Sequence, residues 1–317
     1  MILTVTMNAA IDRTLTVPNL QLGHRHRASD SLTIAGGKGI NIARALKLLG
    51  EPVVATGLAG GSAGERILND LRREGILNDF VRITDTSRTS TAVVDPMAGT
   101  YTEINEWGPH IEPDELELLS EKLEYLVRGA DFVIFAGTLP RGVSEDFYAE
   151  TIRELNRQGV SSVLDAEGEP LRLGVEAEPF LVSPNQQEAE ALVGQELGEE
   201  QDFILALDHI AEMGARNVLI TQESGCYAML RNGREKHRYR ASGTLVDTVS
   251  PVGAGDVLLA GFVAGLAAEH LPEEVLRGAV GAGTASTLEV GAGRFDPREA
   301  GRQMGGVEVK ALEPVAS

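Results

Sequence analysis

Residues 132–165 read FVIFAGTLPRGVSEDFYAETIRELNRQGVSSVLD, and this stretch decides the fold. Phe132 to Ala136 is a short apolar run, and Glu145 to Gln158 repeats its apolar residues at helical spacing. Gly159 stands where a helix C-cap belongs, and Ser162 to Asp165 is β-rich again. Two strands joined through a helix make a parallel unit whose faces must both be covered. The same rhythm runs from about Glu51 onward. Strands are expected at Val53 to Gly57, Phe180 to Val182 and Val218 to Thr221. Helices are expected at Glu65 to Glu74, Gln187 to Val193 and Phe203 to Met213, closed by Gly75, Gly194 and Gly214. The class is α/β, with a central, mostly parallel sheet and helices on both faces.

Two stretches break that rhythm: Leu3 to Val17 with Ser31 to Ile34, and Ser90 to Glu106, in which Asp95-Pro96-Met97-Ala98-Gly99 is a hairpin turn. They are assigned to a small sheet formed by about residues 1–35 and 88–108, within one domain spanning 1–317. A small sheet hinged on an α/β body has the geometry of a lid over a cleft, and a second copy of the chain could cover its outer face as a homodimer.

With 317 residues, the chain is long enough for a large core. Its 47 acids against 28 bases give a net charge of −19, which disfavours nucleic acid and anionic membranes as partners. Cys226, the single cysteine, leaves no internal disulfide and no cysteine-rich metal site. Met1 to Val5 carries no basic leader and no apolar run reaches membrane-spanning length, so a soluble, cytoplasmic protein is expected.

Two loop-to-helix junctions carry chemistry. In Val252-Gly253-Ala254-Gly255-Asp256-Val257 the small residues let backbone N–H groups approach an anion closely, and the start of the following helix adds partial positive charge. Asp256 then faces the anion as a base, or else caps the helix. In Ala35-Gly36-Gly37-Lys38-Gly39-Ile40-Asn41 a compact cation sits among glycines, and Asn41 offers a donor and an acceptor to hydroxyls; the alternative is a flexible loop with a solvated lysine. No glycine stands five residues before Gly37 and no Ser or Thr follows Lys38, so this is not a Walker A loop.

The order of several motifs resembles the ribokinase-like (PfkB) carbohydrate kinases, in particular their phosphosugar branch, 1-phosphofructokinases and tagatose-6-phosphate kinases. It runs from Asn8-Ala9-Ala10-Ile11-Asp12 through Gly36-Gly37-Lys38-Gly39-Ile40-Asn41, Ser87-Arg88-Thr89, Thr102-Glu103-Ile104-Asn105-Glu106, Gly137-Thr138-Leu139-Pro140 and Pro184-Asn185-Gln186-Gln187-Glu188 to Gly253-Ala254-Gly255-Asp256. The resemblance implies Mg²⁺-assisted transfer of the ATP γ-phosphoryl group to a sugar hydroxyl. Asp256 would be the base, and Gly253, Ala254 and Gly255 would cradle the phosphoryl group. Asp12, Gly37 and Asn41 would hold sugar hydroxyls. Arg27, Lys38 and Arg88, with Arg25 behind them, would hold a phosphate already on the sugar. Asn185 and Glu188 would hold Mg²⁺ through water. Thr221, Gly225, Gly283 and Ser286 would complete the nucleotide site.

Departures from the family pattern cluster around the nucleotide: Ser250-Pro251 ahead of the glycine turn, Val257 after the acid, and Gln222-Glu223-Ser224-Gly225 after Thr221. The implied reaction is fructose 1-phosphate to fructose 1,6-bisphosphate, with tagatose 6-phosphate the alternative acceptor. An unphosphorylated sugar or nucleoside, or binding without catalysis, stands behind these.

Overall fold

The computed structural model describes residues 1–314. The chain opens with β1 (Ile2–Thr6), β2 (Ala10–Thr16) and β3 (Asp30–Gly36), then α1 (Lys38–Leu48), β4 (Val53–Gly60), α2 (Gly61–Arg73) and β5 (Leu77–Ile83). It continues through β6 (Arg88–Asp95), β7 (Thr100–Asn105), α3 (Pro113–Leu126), β8 (Phe132–Ala136), α4 (Phe147–Gln158), β9 (Ser161–Asp165) and α5 (Gly168–Val175). Next come β10 (Leu181–Val182), α6 (Gln186–Val193), α7 (Glu200–Met213), β11 (Asn217–Gln222), β12 (Gly225–Asn232) and β13 (Glu235–Ser242). The last elements are α8 (Ala254–Ala267), α9 (Pro272–Ser286), α10 (Pro297–Met304) and β14 (Glu308–Leu312).

Ten strands form one sheet in the order β14-β13-β12-β11-β10-β9-β8-β1-β4-β5. From β11 to β5 neighbours are parallel; β12, β13 and β14 add an antiparallel edge. One apolar core lies under α1, α2 and α8 to α10, the other under α3 to α7. The α/β class with helices on both faces is as expected, although β5 and β12 to β14 lie outside the strands read from the sequence.

The second sheet, β3-β2-β6-β7, closes with the Asp95–Gly99 turn between β6 and β7. It starts later than residues 1–35 imply. Ile2–Thr6 is instead an interior strand of the large sheet, third from its β5 edge and paired on both sides to β4 and β8. Its period-two pattern of apolar residues and threonine mimics a half-exposed strand, but Thr4 and Thr6 are buried, with Thr6 lying where a side chain on Gly39 of α1 would be.

Helix α8 is apolar around its whole circumference because it is buried between α1 and α9. A Cβ on Gly261 would sit 3.0 Å from Ala279 Cα, so glycine permits the close crossing of α8 and α9. No helix among the described residues is long and apolar enough to cross a membrane.

Candidate active site

The parallel strands point their C-terminal ends at one rim, where loops of an α/β sheet gather ligands. Thr6, Ala136, Asp165 and Thr221 end β1, β8, β9 and β11 there or one residue short of the end, and the N-termini of α1 and α8 face the same place through Lys38 and Asp256.

The glycine turn before α8 has the form read from the sequence. Gly253 takes φ 77° and ψ 9°, a left-handed conformation, and Ala292 lies where its side chain would be. A Cβ on Gly255 would meet nothing within 4 Å, so its face is open. Asp256 is the third residue of the helix and does not cap it. Its carboxylate accepts from Asn41 Nδ2 at 2.9 Å. Burial and the neighbouring Asp165 push Asp256 up to about 7, opposed by Lys38 and by the Asn41 hydrogen bond. A carboxyl in that range is suited to take a proton near neutral pH.

Gly37, at φ 106°, lets the chain turn sharply from β3 into α1. Lys38 then donates to Asp165 Oδ1 at 2.7 Å, and its ammonium lies 3.7 Å from Glu188 Oε1. Burial disfavours the ammonium, but Asp165, Glu188 and Asp256 together outweigh it and hold Lys38 charged. Asn185 and Glu188 form a reciprocal capping box on α6, Asn185 Oδ1 accepting from the Glu188 N–H and Glu188 Oε2 from the Asn185 N–H. Glu188 Oε1 is left facing Lys38.

On the small sheet, register sets Asp12 beside Ser90 and Ser90 beside Asn105, with Arg88 and Glu103 two residues away on the same face. Burial pushes Asp12 up to about 6 against the pull of Arg88 and Arg44. Arg88 donates to the Asn8 carbonyl and Asn105 Oδ1. The site therefore runs in a line from Arg88 through Asp12 to Asp256, then to Lys38, Asp165 and Glu188.

Not every expected residue lies on this line. Lys38 sits with Asp165 and Glu188, away from the Arg88 end at which a sugar phosphate was expected to be held. Arg27 and Arg25 are exposed on the β2–β3 connection, with no hydrogen bond or ion pair among the described residues. At Gly225 the Ala241 carbonyl lies 2.0 Å from where a Cβ would be. Gly283 packs against Leu258 of α8, and the Ser286 hydroxyl donates within α9 to the Gly283 carbonyl at 2.7 Å. Thr221 reaches the rim, bridged to Asn185. The Asn41 Oδ1 accepts from Arg44 Nη1 at 3.2 Å, which takes one of its two lone pairs. Asp165, Arg44 and Glu103 were missed; an acid ending an apolar strand was the one available signal for Asp165.

A triphosphate and Mg²⁺ fit these residues. The Gly255 N–H has no backbone partner among the described residues, and its face would be filled by a Cβ. Among those residues no three His, Cys, Asp or Glu side chains converge as a direct metal cage, while a Mg²⁺ that keeps most of its water needs only one or two carboxylates such as Glu188.

The pfkB family carbohydrate kinase profile matches residues 3–299. A 1-phosphofructokinase of Borreliella burgdorferi is 33% identical over 289 residues, covering 91% of this chain and 92% of that protein. The structure of Escherichia coli phosphofructokinase-2 in complex with substrates and products superposes with a TM-score of 0.89 at 28% identity, covering 96% of this chain and 98% of that one. An Arabidopsis thaliana ribokinase complexed with ribose and ATP shares the fold, with a TM-score of 0.74 at 21% identity over 96% of this chain and 98% of that one. The chain belongs to the pfkB family of carbohydrate kinases and is a phosphotransferase with an alcohol group as acceptor.

Proposed function

We propose that this pfkB-family kinase transfers the γ-phosphoryl group of ATP to a hydroxyl of a ketohexose phosphate in the cytoplasm, converting fructose 1-phosphate to fructose 1,6-bisphosphate. The observation that carries this reading is the position of Asp256: at the N-terminus of α8, between the Arg88–Asp12 lid face and the Lys38–Glu188 cluster. The 1-phosphofructokinase relative supports the choice of acceptor.

Each group has a role in this reading. Arg88 binds the phosphate already on the sugar by charge-assisted hydrogen bonds. Asp12 accepts from sugar hydroxyls, Gly37 gives them room, and Asn41 donates. Asp256 takes the proton of the attacking hydroxyl. The N–H groups of Gly253, Ala254 and Gly255 with the α8 N-terminus, together with Lys38, stabilise negative charge as it spreads over the transferred group. Asn185 and Glu188 hold Mg²⁺ through water, and Thr221 borders the phosphates. ATP with Mg²⁺ supplies the phosphoryl group and neutralises part of its charge. The lid's exposed face, with Ile104 and Met97, would pair with a second copy.

The test is ADP release from ATP and Mg²⁺ with fructose 1-phosphate, tagatose 6-phosphate, fructose 6-phosphate and fructose in parallel. Selective turnover of fructose 1-phosphate is expected. Preference for tagatose 6-phosphate or fructose 6-phosphate would reassign the acceptor, and turnover of fructose alone would remove Arg88 from its role.

A further inference from the structure

Arg44 lies one turn beyond Asn41 on α1 and is 4% exposed. All five of its N–H groups are engaged. Nε and Nη2 donate to the Glu74 carboxylate at 2.6 and 3.1 Å, and Nη1 donates to Asn41 Oδ1 at 3.2 Å and to the Ala292 carbonyl at 2.9 Å. The remaining N–H, on Nη2, donates to the Ala35 carbonyl at 2.7 Å. Beyond Asn41 on its own helix, these partners come from three places, the first being Glu74 at the C-cap of α2. Ala35 lies near the end of β3, where the lid joins α1. Ala292 lies in the turn against Gly253, and its neighbour Gly293 packs on Asn41, where a Cβ would fall 2.6 Å from the Asn41 carbonyl oxygen.

A guanidinium only donates and an ionised carboxylate only accepts, so both neighbours of Asn41 impose the same amide orientation, oxygen to Arg44 and nitrogen to Asp256. Without Arg44 only Asp256 orients the amide, and whenever Asp256 is protonated the amide can turn over and accept from it.

We propose that Arg44, clamped by Glu74, is the positioning residue that holds the Asn41 amide as a donor to Asp256 and ties the lid's hinge at Ala35 to the glycine turn through Ala292. Its kinetic readout rests on Asp256 being the base of the proposed kinase; the amide orientation does not. A lysine at this position keeps a charge but is a single nitrogen that cannot span the fork, so Arg44→Lys separates charge from geometry.

The experiment compares Arg44→Lys, Arg44→Met and Glu74→Gln, each alone and with Asn41→Ala, assayed well below their unfolding temperatures. A small misplacement at a reacting centre is costly, so Arg44→Lys should lower kcat by about tenfold or more while the phosphosugar KM moves less than about threefold. In the Asn41→Ala background the same change should cost little further, because two residues acting through one contact are not additive. A kcat within about twofold of wild type, or an equal loss with and without Asn41, would overturn the proposal. The second readout needs no turnover: selective ¹⁵N-asparagine labelling, with the Asn41 side-chain NH₂ signal identified by its loss in Asn41→Ala. It should be protected from hydrogen exchange in the wild type and lose that protection in Arg44→Met, or in Arg44→Lys if the methionine variant does not fold. Unchanged protection would overturn the proposal. An enzyme inactive on every sugar phosphate would sink the kinase reading and leave this signal to decide.

Discussion

Lys38 Nζ lies 2.7 Å from Asp165 Oδ1, joining the start of α1 to the end of β9 across 127 residues of sequence. This ion pair places a cation beside Asp256 and Glu188, so the lysine lowers the pKa of Asp256 while three carboxylates keep the lysine charged.

The pH dependence follows from that arrangement. In the proposed reaction Asp256 acts ionised, and its folded pKa is raised to about 7, so kcat/KM should climb as pH rises through about 7 and level off above. Lys38→Met removes a group that lowers that pKa; the rising limb should move to higher pH, and the rate at pH 7 should fall by roughly ten- to a hundredfold. A pH–rate profile of the two proteins checks this, and an unmoved limb would count against the pairing.

Gly255→Ala tests the glycine turn. Nothing lies within 4 Å of the added methyl group, so the fold should tolerate it and the melting temperature should hold or rise, alanine being the better helix former. A methyl group beside the N–H groups should nevertheless lower kcat/KM for ATP by about tenfold or more. Thermal melting beside steady-state kinetics separates these effects, and wild-type kinetics would place the phosphoryl group elsewhere.

Arg88→Ala should raise KM for the phosphosugar by roughly ten- to a hundredfold, the loss of a charge-assisted hydrogen bond contributing about 1.5–3 kcal/mol, with little change in KM for ATP. Matched rises in both would move Arg88 out of the acceptor end.

Asp256 should also cost stability. A carboxyl whose folded pKa lies above its unfolded value of 3.8 destabilises the fold increasingly as pH rises from about 4 through about 7. Asp256→Asn should therefore be more stable than the wild type at pH 8, by on the order of 1–3 kcal/mol, with the gap closing toward pH 4. Denaturant unfolding at the two pH values measures it.

Small residues made the two junctions legible in the sequence: Gly37 and Gly253 take positive φ, and glycine beside an apolar helix start marks such turns. The parallel strands were legible because runs such as Phe132 to Ala136 are apolar throughout. β1 was assigned to the wrong sheet because threonine is small enough to be buried against glycine, which a period-two pattern cannot reveal. Arg44 was invisible for a related reason: an arginine on a helix reads as solvated until Glu74, Ala35 and Ala292 are brought to it. Gly283 and Ser286 were read as nucleotide neighbours; Gly283 also lies against α8, and the Ser286 hydroxyl bonds within α9 to the Gly283 carbonyl.

The central claim is that Asp256 is the base. The most direct measurement is single-turnover phosphoryl transfer by Asp256→Asn with fructose 1-phosphate, alongside calorimetric binding of that sugar phosphate. The account predicts a rate lower by about a hundredfold or more with binding nearly intact. A rate near that of the wild type would contradict it.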